Sequence, residues 1–347
     1  MENITGKTRY EWVDILKGIG ITLVVLGHSI EYVKYAYETN VPFFWNIIDF
    51  WLSNFHMALF FMLSAYLLRK KELTNRECYS FKNALNNMLK LLVPYIIFSC
   101  VFYFSKLFMG SNVQSSIELI DLLLIIIKPL STLWFLYLLM IFYMIRLIIF
   151  KNNINNKIVL ACSLLLCILS YYVSFPSYLE GTILLRFMKF SFYYAIGIEI
   201  ANIETFKMNN FLIKHKKRII MLCLPFLLLG LLVGIKFQTF SMLSIIMILF
   251  GVSQIMLLIT LFINKRNKFI SALGKNSLGI YLFHDYIVCA FVIILKRFHV
   301  NSSILIIFTF VFAICISYYL YLFCLKLNFI KWIFRPNLLK NGGKNEY

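Results

Sequence analysis

The sequence predicts an all-α integral membrane protein with about ten transmembrane helices and both termini on the cytoplasmic side. Three observations support this prediction: the composition, the length of the apolar runs and the distribution of basic residues. Of the 347 residues, 61% are hydrophobic and 14% are charged, whereas soluble globular proteins have about 45–50% apolar and about 25% charged residues. Because so few charges cannot cover so much apolar surface in water, the composition excludes the soluble classes.

Ten apolar runs approach the length of about 20 residues that a helix needs to cross the hydrocarbon core. They lie at 15–32, 47–68, 85–108, 133–150, 158–175, 183–203, 219–235, 240–263, 278–295 and 304–325. A further apolar stretch at 119–127 is too short to cross and ends at Lys128 and Pro129. We expect this stretch to be interfacial or re-entrant.

The basic residues test this count independently, because Lys and Arg accumulate on the cytoplasmic side of membrane proteins. Ten spans and an inner N-terminus place 26 of the 34 Lys and Arg residues inside and eight outside. If 119–127 also crossed, the split would be 15 inside and 19 outside, so ten spans fit better. The net charge of +19 does not indicate nucleic-acid binding, because the basic residues lie in separated clusters. The eight cysteines indicate neither a disulfide framework nor a metal site.

The first run presents a polar stripe formed by Asp14, Lys17 and His28. Ionisable groups are costly in hydrocarbon, so they usually face the bundle interior and mark a pathway or a site. Eleven helical residues bring Lys17 and His28 to within about 20° of the same face, separated by about 16 Å along the axis. Lys17 then lies near the inner surface and His28 in the outer half. Asp14 can pair with Lys17, three residues later.

His56 enters the second run from the outer side, so its depth in the membrane is similar to that of His28. A two-histidine site is therefore geometrically possible. A neutral imidazole can take a proton from a hydroxyl near neutral pH, which O-acylation of an alcohol requires. The alternative is that each histidine donates a hydrogen bond to a backbone carbonyl and stabilises helix packing.

Three more ionisable residues lie in later runs. His284 and Asp285 are in the ninth run, which enters from the cytoplasm, so we expect His284 at the inner end of the bundle beside Lys17. The alternative is that His284 and Asp285 only join helices together. Glu199 lies one turn from the inner end of the sixth run, and we expect it to pair with a nearby lysine.

These residues resemble the acyltransferase 3 family of integral membrane O-acyltransferases, and particularly its fucose 4-O-acetylase-like branch. The first helix of that family, with its basic residue, ten-residue gap and histidine, is similar to residues 10–29, YEWVDILKGIGITLVVLGHS. The second-helix signature is similar to residues 55–66, FHMALFFMLSAY. In this segment Ala58 and Ala65 stand where the family usually has proline and glycine, so we expect differences in a kink and in a close helix contact.

Two shorter segments, LWFL at 133–136 and SLGIYLFH at 277–284, are similar to weaker landmarks of the family. The resemblance covers essentially all ten runs. It therefore predicts an acyltransferase 3-like transmembrane domain at 10–326, followed by a basic cytoplasmic tail at 327–347.

The resemblance implies transfer of an acyl group, most often acetyl, from cytoplasmic acyl-CoA to a sugar hydroxyl of a cell-surface polysaccharide or its lipid-linked precursor. It implies that His28 is the catalytic histidine, which we expect His56 to assist. We hypothesise that the donor phosphates are held at the inner mouth by basic residues, namely Lys17, Arg69, Lys70, Lys90 and His284. Asp14, Glu199 and Asp285 would orient these groups. Whether the acyl group passes directly or through an acyl-histidine stays open.

We expect no tightly bound cofactor and no metal; acyl-CoA is the donor substrate. The expected partners are the glycan acceptor and the lipid bilayer of the cytoplasmic membrane, and not nucleic acid. The main alternative is a multi-pass transporter or flippase of a lipid-linked sugar. Transporters often contain paired internal repeats with broken helices, and this sequence shows no five-plus-five repeat. A scaffold for a glycan-assembly complex is a third possibility and would give the histidines only packing roles.

Overall fold

The protein is helical at almost every position that the computed structural model describes. The described residues are 10–36, 41–74, 81–109, 125, 129–172, 182–236, 244–298 and 300–334. The helices found in these residues are, in chain order, α1 (Glu11–Ala36), α2 (Phe43–Ser53), α3 (His56–Thr74), α4 (Phe81–Met109), α5 (Trp134–Lys151), α6 (Asn156–Tyr172), α7 (Ile183–Asn202), α8 (Thr205–Lys214), α9 (Lys216–Lys236), α10 (Ser244–Phe262), α11 (Lys268–Lys275), α12 (Ser277–Lys296), α13 (Ser302–Lys326) and α14 (Asn328–Phe334). A single 3₁₀ turn at Ser131–Leu133 precedes α5.

The predicted apolar runs correspond to helices over most of their described residues. The second run is shared by α2 and α3, and the others fall on α1, α4, α5, α6, α7, α9, α10, α12 and α13. The stretch 119–127 lies outside the described residues except for Ile125. The Tyr95 hydroxyl donates a hydrogen bond to the Ile125 carbonyl. The interfacial or re-entrant path of the stretch 119–127 stays a prediction.

Seven segments of the described chain are long and apolar enough, by length and composition, to cross a membrane. They are Glu11–Ala36, Phe43–Thr74, Asn83–Ser105, Ser131–Lys151, Ile245–Phe262, Ser277–Lys296 and Ser302–Lys326. The predicted class of all-α integral membrane protein is therefore confirmed. The count of ten stays a prediction, and so does the inner position of both termini, because residues 1–9 and 335–347 lie outside the described chain.

The helix at the centre of the bundle is α1, which packs against α2, α3, α10, α11, α12 and α13. Its contact with α11 is made backbone to backbone. A Cβ at Gly18 would overlap the carbonyl group of Ile270, and a Cβ at Gly274 would overlap that of Asp14. Glycine at these two positions therefore lets α11 lie directly against the first turns of α1.

A turn at Asn54 and Phe55 divides the second run into α2 and α3. Ala58, which stands where the resemblance predicts proline, is fully buried in the first turn of α3. The bend in this run precedes Ala58 and does not depend on a proline there. His56, as the first residue of α3, lies immediately after the bend.

A second close contact joins α3 to α7. A Cβ at Gly197 would overlap the carbonyl group of Met62 and lie 3.0 Å from the Cβ of Ala65. Ala65, which stands where the resemblance predicts glycine, is fully buried. The close contact is retained because Gly197 provides the room on the opposite helix.

A buried group of charges, which we call the inner ion cluster, connects α3, α5, α6 and α7. Glu72 of α3 accepts hydrogen bonds from Arg146 Nε at 2.7 Å, Arg146 Nη2 at 2.6 Å and Arg69 Nη1 at 2.8 Å. Arg146 also donates to Asn156 and Arg69 to Asn202, both at 2.8 Å. The side chains of Glu72 and Arg146 are 0% and 4% exposed. Hydrogen bonds therefore connect all four helices, directly or through an arginine, to the buried carboxylate of Glu72.

The last described helix extends the packed structure beyond the predicted domain boundary at residue 326. Phe334 of α14 is buried and its ring contacts those of Phe98, Phe283 and Tyr321 at centroid distances of 6.1, 6.1 and 4.9 Å. Residues 328–334 of the predicted tail thus pack on α4, α12 and α13.

Candidate active site

Two histidines from different helices meet beside α1. The rings of His28 of α1 and His284 of α12 have centroids 5.2 Å apart. His284 is fully buried, whereas the side chain of His28 is 23% exposed. His28 is thus the accessible histidine of the pair, and His284 lies buried against its ring.

The histidine hydrogen bonds fix which ring nitrogen is available. His284 Nδ1 donates to the Tyr281 carbonyl at 2.7 Å, and His28 Nδ1 bonds to a carboxylate oxygen of Glu31 at 3.1 Å. Because both partners are acceptors, the proton of each neutral ring belongs on Nδ1 and the lone pair on Nε2. His284 Nε2 is buried and has no hydrogen-bond partner among the described residues.

His56 is the third histidine at this end of the bundle and lies within electrostatic range of His28 and Glu31. His56 Nδ1 donates to the Leu52 carbonyl at 2.5 Å, across the turn between α2 and α3. This bond is the structural alternative predicted for His56, yet it leaves Nε2 available. We call His28, His56 and His284, together with Glu31 and Asp285, the histidine site.

The predicted place of His284 beside Lys17 is wrong, because the structure puts it against His28. The reason is the position of α11. Its last residues, including Gly274, contact the first turns of α1 near Asp14, so α12 starts farther along α1 than a cytoplasmic loop would allow. From there α12 runs along α1, and this packing brings the His284 ring against that of His28.

Asp285 links α12 to the 3₁₀ turn before α5. Ser131 Oγ donates to Asp285 Oδ2 at 3.0 Å, while Asp285 Oδ1 is buried and accepts no hydrogen bond from the described residues. The Tyr281 hydroxyl donates to the Thr132 carbonyl in the same turn. Ser131 has a φ of 44°, the left-handed region that non-glycine residues rarely adopt. The predicted landmark segments 133–136 and 277–284 are therefore neighbours.

The predicted donor-binding residues lie elsewhere on the bundle. Arg69 belongs to the inner ion cluster, and Lys70 Nζ donates to the Ile203 carbonyl at 2.9 Å. Lys17 is half-buried on α1, and Lys90 is exposed on α4. Because α1 is one unbroken helix, the predicted separation of Lys17 and His28 by about 16 Å on one face holds.

Two predicted orienting residues, Asp14 and Glu199, also lie away from the histidine site. Asp14 is half-buried at the start of α1 beside α11. Glu199 Oε2 accepts a hydrogen bond from Asn202 at 3.2 Å, in place of the expected lysine, and its Oε1 is buried without a partner among the described residues. Glu199 thus adjoins the inner ion cluster through Asn202, which also bonds Arg69.

A comparison with known protein families shows to which family the chain belongs. The family model of the acyltransferase 3 family, which is described as an acyltransferase domain, matches residues 10–322 of the chain. The chain belongs to the acyltransferase 3 family. Comparisons with curated proteins and with solved structures give no match. The predicted resemblance to the family is confirmed, and the protein is a multi-pass membrane acyltransferase; the fucose 4-O-acetylase-like branch stays a prediction.

The matched region of this acyltransferase contains the whole histidine site and the turn that carries Ser131. Its arrangement suits proton transfer: an accessible imidazole, a carboxylate on the opposite nitrogen and a second imidazole alongside. Among the described residues, no group of three or more His, Cys, Asp or Glu side chains could hold a metal ion.

Sequence reasoning missed several members of the site. Glu31 could have been found, since it lies three residues after His28 on the same helix face. Ser131 and Tyr281 carry no sequence signal for their roles, because both depend on a contact between segments about 150 residues apart. No role was predicted for Arg186, whose guanidinium lies 4.3 Å from the ring centroid of Trp134.

Proposed function

We propose that this acyltransferase moves an acetyl group from cytoplasmic acetyl-CoA to a sugar hydroxyl of a cell-surface polysaccharide or its lipid-linked precursor. The resemblance to the fucose 4-O-acetylase-like branch supports the acetyl donor and the sugar acceptor. The observation that carries the proposal is the His28 imidazole, bonded to Glu31 through Nδ1 and flanked by His284.

The proposed reaction uses His28 as a general base. Nε2 accepts the proton of the acceptor hydroxyl while the acceptor oxygen bonds to the thioester carbonyl carbon. The carbon–sulfur bond then breaks, and the coenzyme A thiolate takes the proton from the imidazolium. His28 Nδ1 keeps its proton throughout and donates it in the hydrogen bond to Glu31, whose carboxylate stabilises the transient positive charge.

The position of Lys17 supports donor entry from the inner side. It lies on the same face of α1 as His28, about 16 Å away, a distance that the extended pantetheine arm of coenzyme A can span. A phosphate held near Lys17 would therefore leave the thioester at His28. Lys90 and Lys70 are further candidates for phosphate contacts, whereas Arg69 is already bonded to Glu72 and Asn202.

The neighbouring histidines have supporting roles in this proposal. His284 is buried against His28, with ring centroids 5.2 Å apart, so its role in this proposal is to position the His28 ring. His56 Nδ1 donates to the Leu52 carbonyl, so the lone pair of a neutral ring is on Nε2, and we assign this nitrogen to orienting the acceptor hydroxyl. Membership of the acyltransferase 3 family favours acyl transfer over the carrier and scaffold alternatives.

The proposal is tested with membranes from cells that produce the full chain, supplied with acetyl-CoA labelled in the acetyl group. Mass spectrometry of the extracted glycans should find labelled O-acetyl esters. His28→Ala should lower transfer by about 10²- to 10⁴-fold, the usual contribution of a general base. His215→Ala, a histidine between α8 and α9, is the matched control and should retain transfer.

Two outcomes contradict the proposal. If the native chain produces no labelled ester above membranes that lack it, the assigned donor and acceptor are wrong. If His28→Ala inserts normally and retains transfer, the catalytic assignment is wrong.

A further inference from the structure

Two cations lie one turn apart near the start of α7, Arg186 and Lys189. In the predicted topology α7 enters the membrane from the outer side, so both side chains belong to the outer half that contains His28 and His56. Among the described residues neither side chain donates a hydrogen bond or forms a salt bridge; their contacts are with aromatic rings. Unpaired cations at such a depth are costly and usually serve a site.

Arg186 is held in a defined orientation by an aromatic platform. Its guanidinium lies 4.3 Å from the ring centroid of Trp134, and Trp134 stacks on Phe190 with centroids 5.6 Å apart. Stacking occupies the face of the guanidinium and leaves its N–H groups, which lie in the plane, available. That edge is the one that binds a carboxylate or a phosphate with two parallel hydrogen bonds.

The cations adjoin the histidine site. Arg186 lies within electrostatic range of Glu31 and of the Tyr281 hydroxyl, and Lys189 lies within that range of His56. From Trp134 the aromatic contacts continue through Phe135 and Tyr281 to His284. A substrate whose hydroxyl reaches His28 would therefore place neighbouring groups beside Arg186.

The three carboxylates that the structure describes in this region form hydrogen bonds and a salt bridge with groups other than the two cations. Glu31 is bonded to His28, and Asp285 accepts from Ser131. Asp49 forms a salt bridge with Lys34 at 2.8 Å. Within the described part of the chain, two positive charges thus remain for a group that arrives with the substrate.

We propose that Arg186 and Lys189 form a subsite for an anionic group, a phosphate or a carboxylate, on the acceptor next to the hydroxyl that is acylated. This inference rests on the proposed function and narrows its acceptor to an anionic glycan or glycosyl phosphate. Arg186 supplies the directional hydrogen bonds, and Lys189 supplies charge without fixed direction. A neutral sugar would leave both cations unpaired.

The test uses the full chain in phosphatidylcholine nanodiscs, with labelled acetyl-CoA and glycans extracted from the producing cells and separated by anion exchange. Label should appear in the anionic fraction. Arg186→Gln should raise the KM for this fraction about 10- to 100-fold, the effect of losing hydrogen bonds to a charged group, with little change in kcat. The KM of Arg186→Lys should lie between those of the native chain and of Arg186→Gln. Arg297 is exposed and is predicted to be on the outer side, so the KM of Arg297→Gln should match that of the native chain.

Chemical treatment of the acceptor separates its two possible anions. Carbodiimide-mediated reduction removes carboxylates, and hydrofluoric acid removes phosphates; the treatment that abolishes the difference between native chain and Arg186→Gln identifies the group bound.

Three results would overturn the subsite alone, and a fourth would overturn the proposed function as well. Label found only on neutral glycans would do so and leave the proposed function standing, as would an equal loss of kcat for neutral and anionic acceptors in Arg186→Gln. A defect that appears only when anionic lipid is added to the nanodiscs would assign Arg186 to lipid headgroups instead. A native chain that labels no glycan would overturn the proposed function itself, and the subsite with it.

Discussion

The inner ion cluster and the histidine site both bury polar groups, but they satisfy them differently. In the inner ion cluster Glu72 accepts three hydrogen bonds, and both of its arginine partners have a further amide partner. In the histidine site His284 Nε2 and Asp285 Oδ1 are buried and have no partner among the described residues. The two regions lie at opposite ends of α3, which begins at His56 and carries Glu72 in its last turn.

This difference indicates that the inner ion cluster stabilises the fold, whereas the histidine site keeps unpaired polar atoms for its function. Fully paired buried charges hold helices in one arrangement, and their removal leaves uncompensated charge. Unpaired buried acceptors lower the stability of the fold by about 1–3 kcal/mol each, so they persist where function requires them. Substitutions should therefore lower stability at the inner ion cluster and activity at the histidine site.

The largest expected effect is on stability, in Glu72→Ala. Two arginines would lose their shared carboxylate, and breaking a buried ion pair lowers the free energy of unfolding by about 3–5 kcal/mol. Thermal denaturation in detergent measures the loss. Glu204→Ala is the matched control: its salt bridge with Lys207 is 68% and 71% exposed, so about 0–1 kcal/mol is expected. Equal losses in both variants would contradict the structural role of the cluster.

The opposite behaviour is expected for His284→Leu. Transfer should fall about 100-fold because His28 loses its neighbour, while the free energy of unfolding rises by about 1 kcal/mol because a buried acceptor without a partner is removed. The acetyl-transfer assay and denaturation in detergent give the two values. A variant that loses stability and activity together would show that His284 only supports packing.

A smaller effect on stability distinguishes two glycines of α1. Gly18→Ala forces the backbone of α11 away, and overpacking of this kind usually lowers stability by about 1–3 kcal/mol. Gly27→Ala should be tolerated, because the nearest atom to an added Cβ is Leu52 Cδ1 at 3.9 Å. Denaturation of both variants in detergent provides the measurement. If Gly27→Ala is the more damaging, the contact between α1 and α11 is not the tighter one.

The smallest effect is expected for Glu31→Ala. Glu31 is 63% exposed, so solvent screens its charge, and loss of its hydrogen bond to His28 should lower kcat by about fivefold, or about 1 kcal/mol. KM should change little, and Glu31→Gln should recover part of the rate. A change in KM alone would assign Glu31 to acceptor binding instead of to His28.

The sequence was sufficient for the parts of this molecule that depend on one helix. The membrane class follows from composition and run length, and the relation of Lys17 to His28 follows from the helical period. The depth of His284 could not be predicted, because it depends on Gly18 and Gly274 bringing two backbones together. Residues 264–276, with four basic residues, are typical of a cytoplasmic loop, and no local pattern indicates that α11 packs on α1.

The inner ion cluster was also beyond sequence reasoning. No role was predicted for Arg146, and Glu72 lies among lysines and arginines at the end of α3. Their pairing joins residues that are 74 positions apart. Prediction of such a bond requires the packing of α3 against its neighbours, which a single sequence does not provide.

The left-handed backbone conformation of Ser131 restricts the residue types that can occupy this position. Glycine would fit the backbone best but would remove the hydroxyl that bonds Asp285, whereas threonine would keep the hydroxyl on a branched side chain that resists a φ of 44°. Asparagine tolerates this conformation and carries a donor. Natural variation at this position should therefore be confined largely to serine and asparagine.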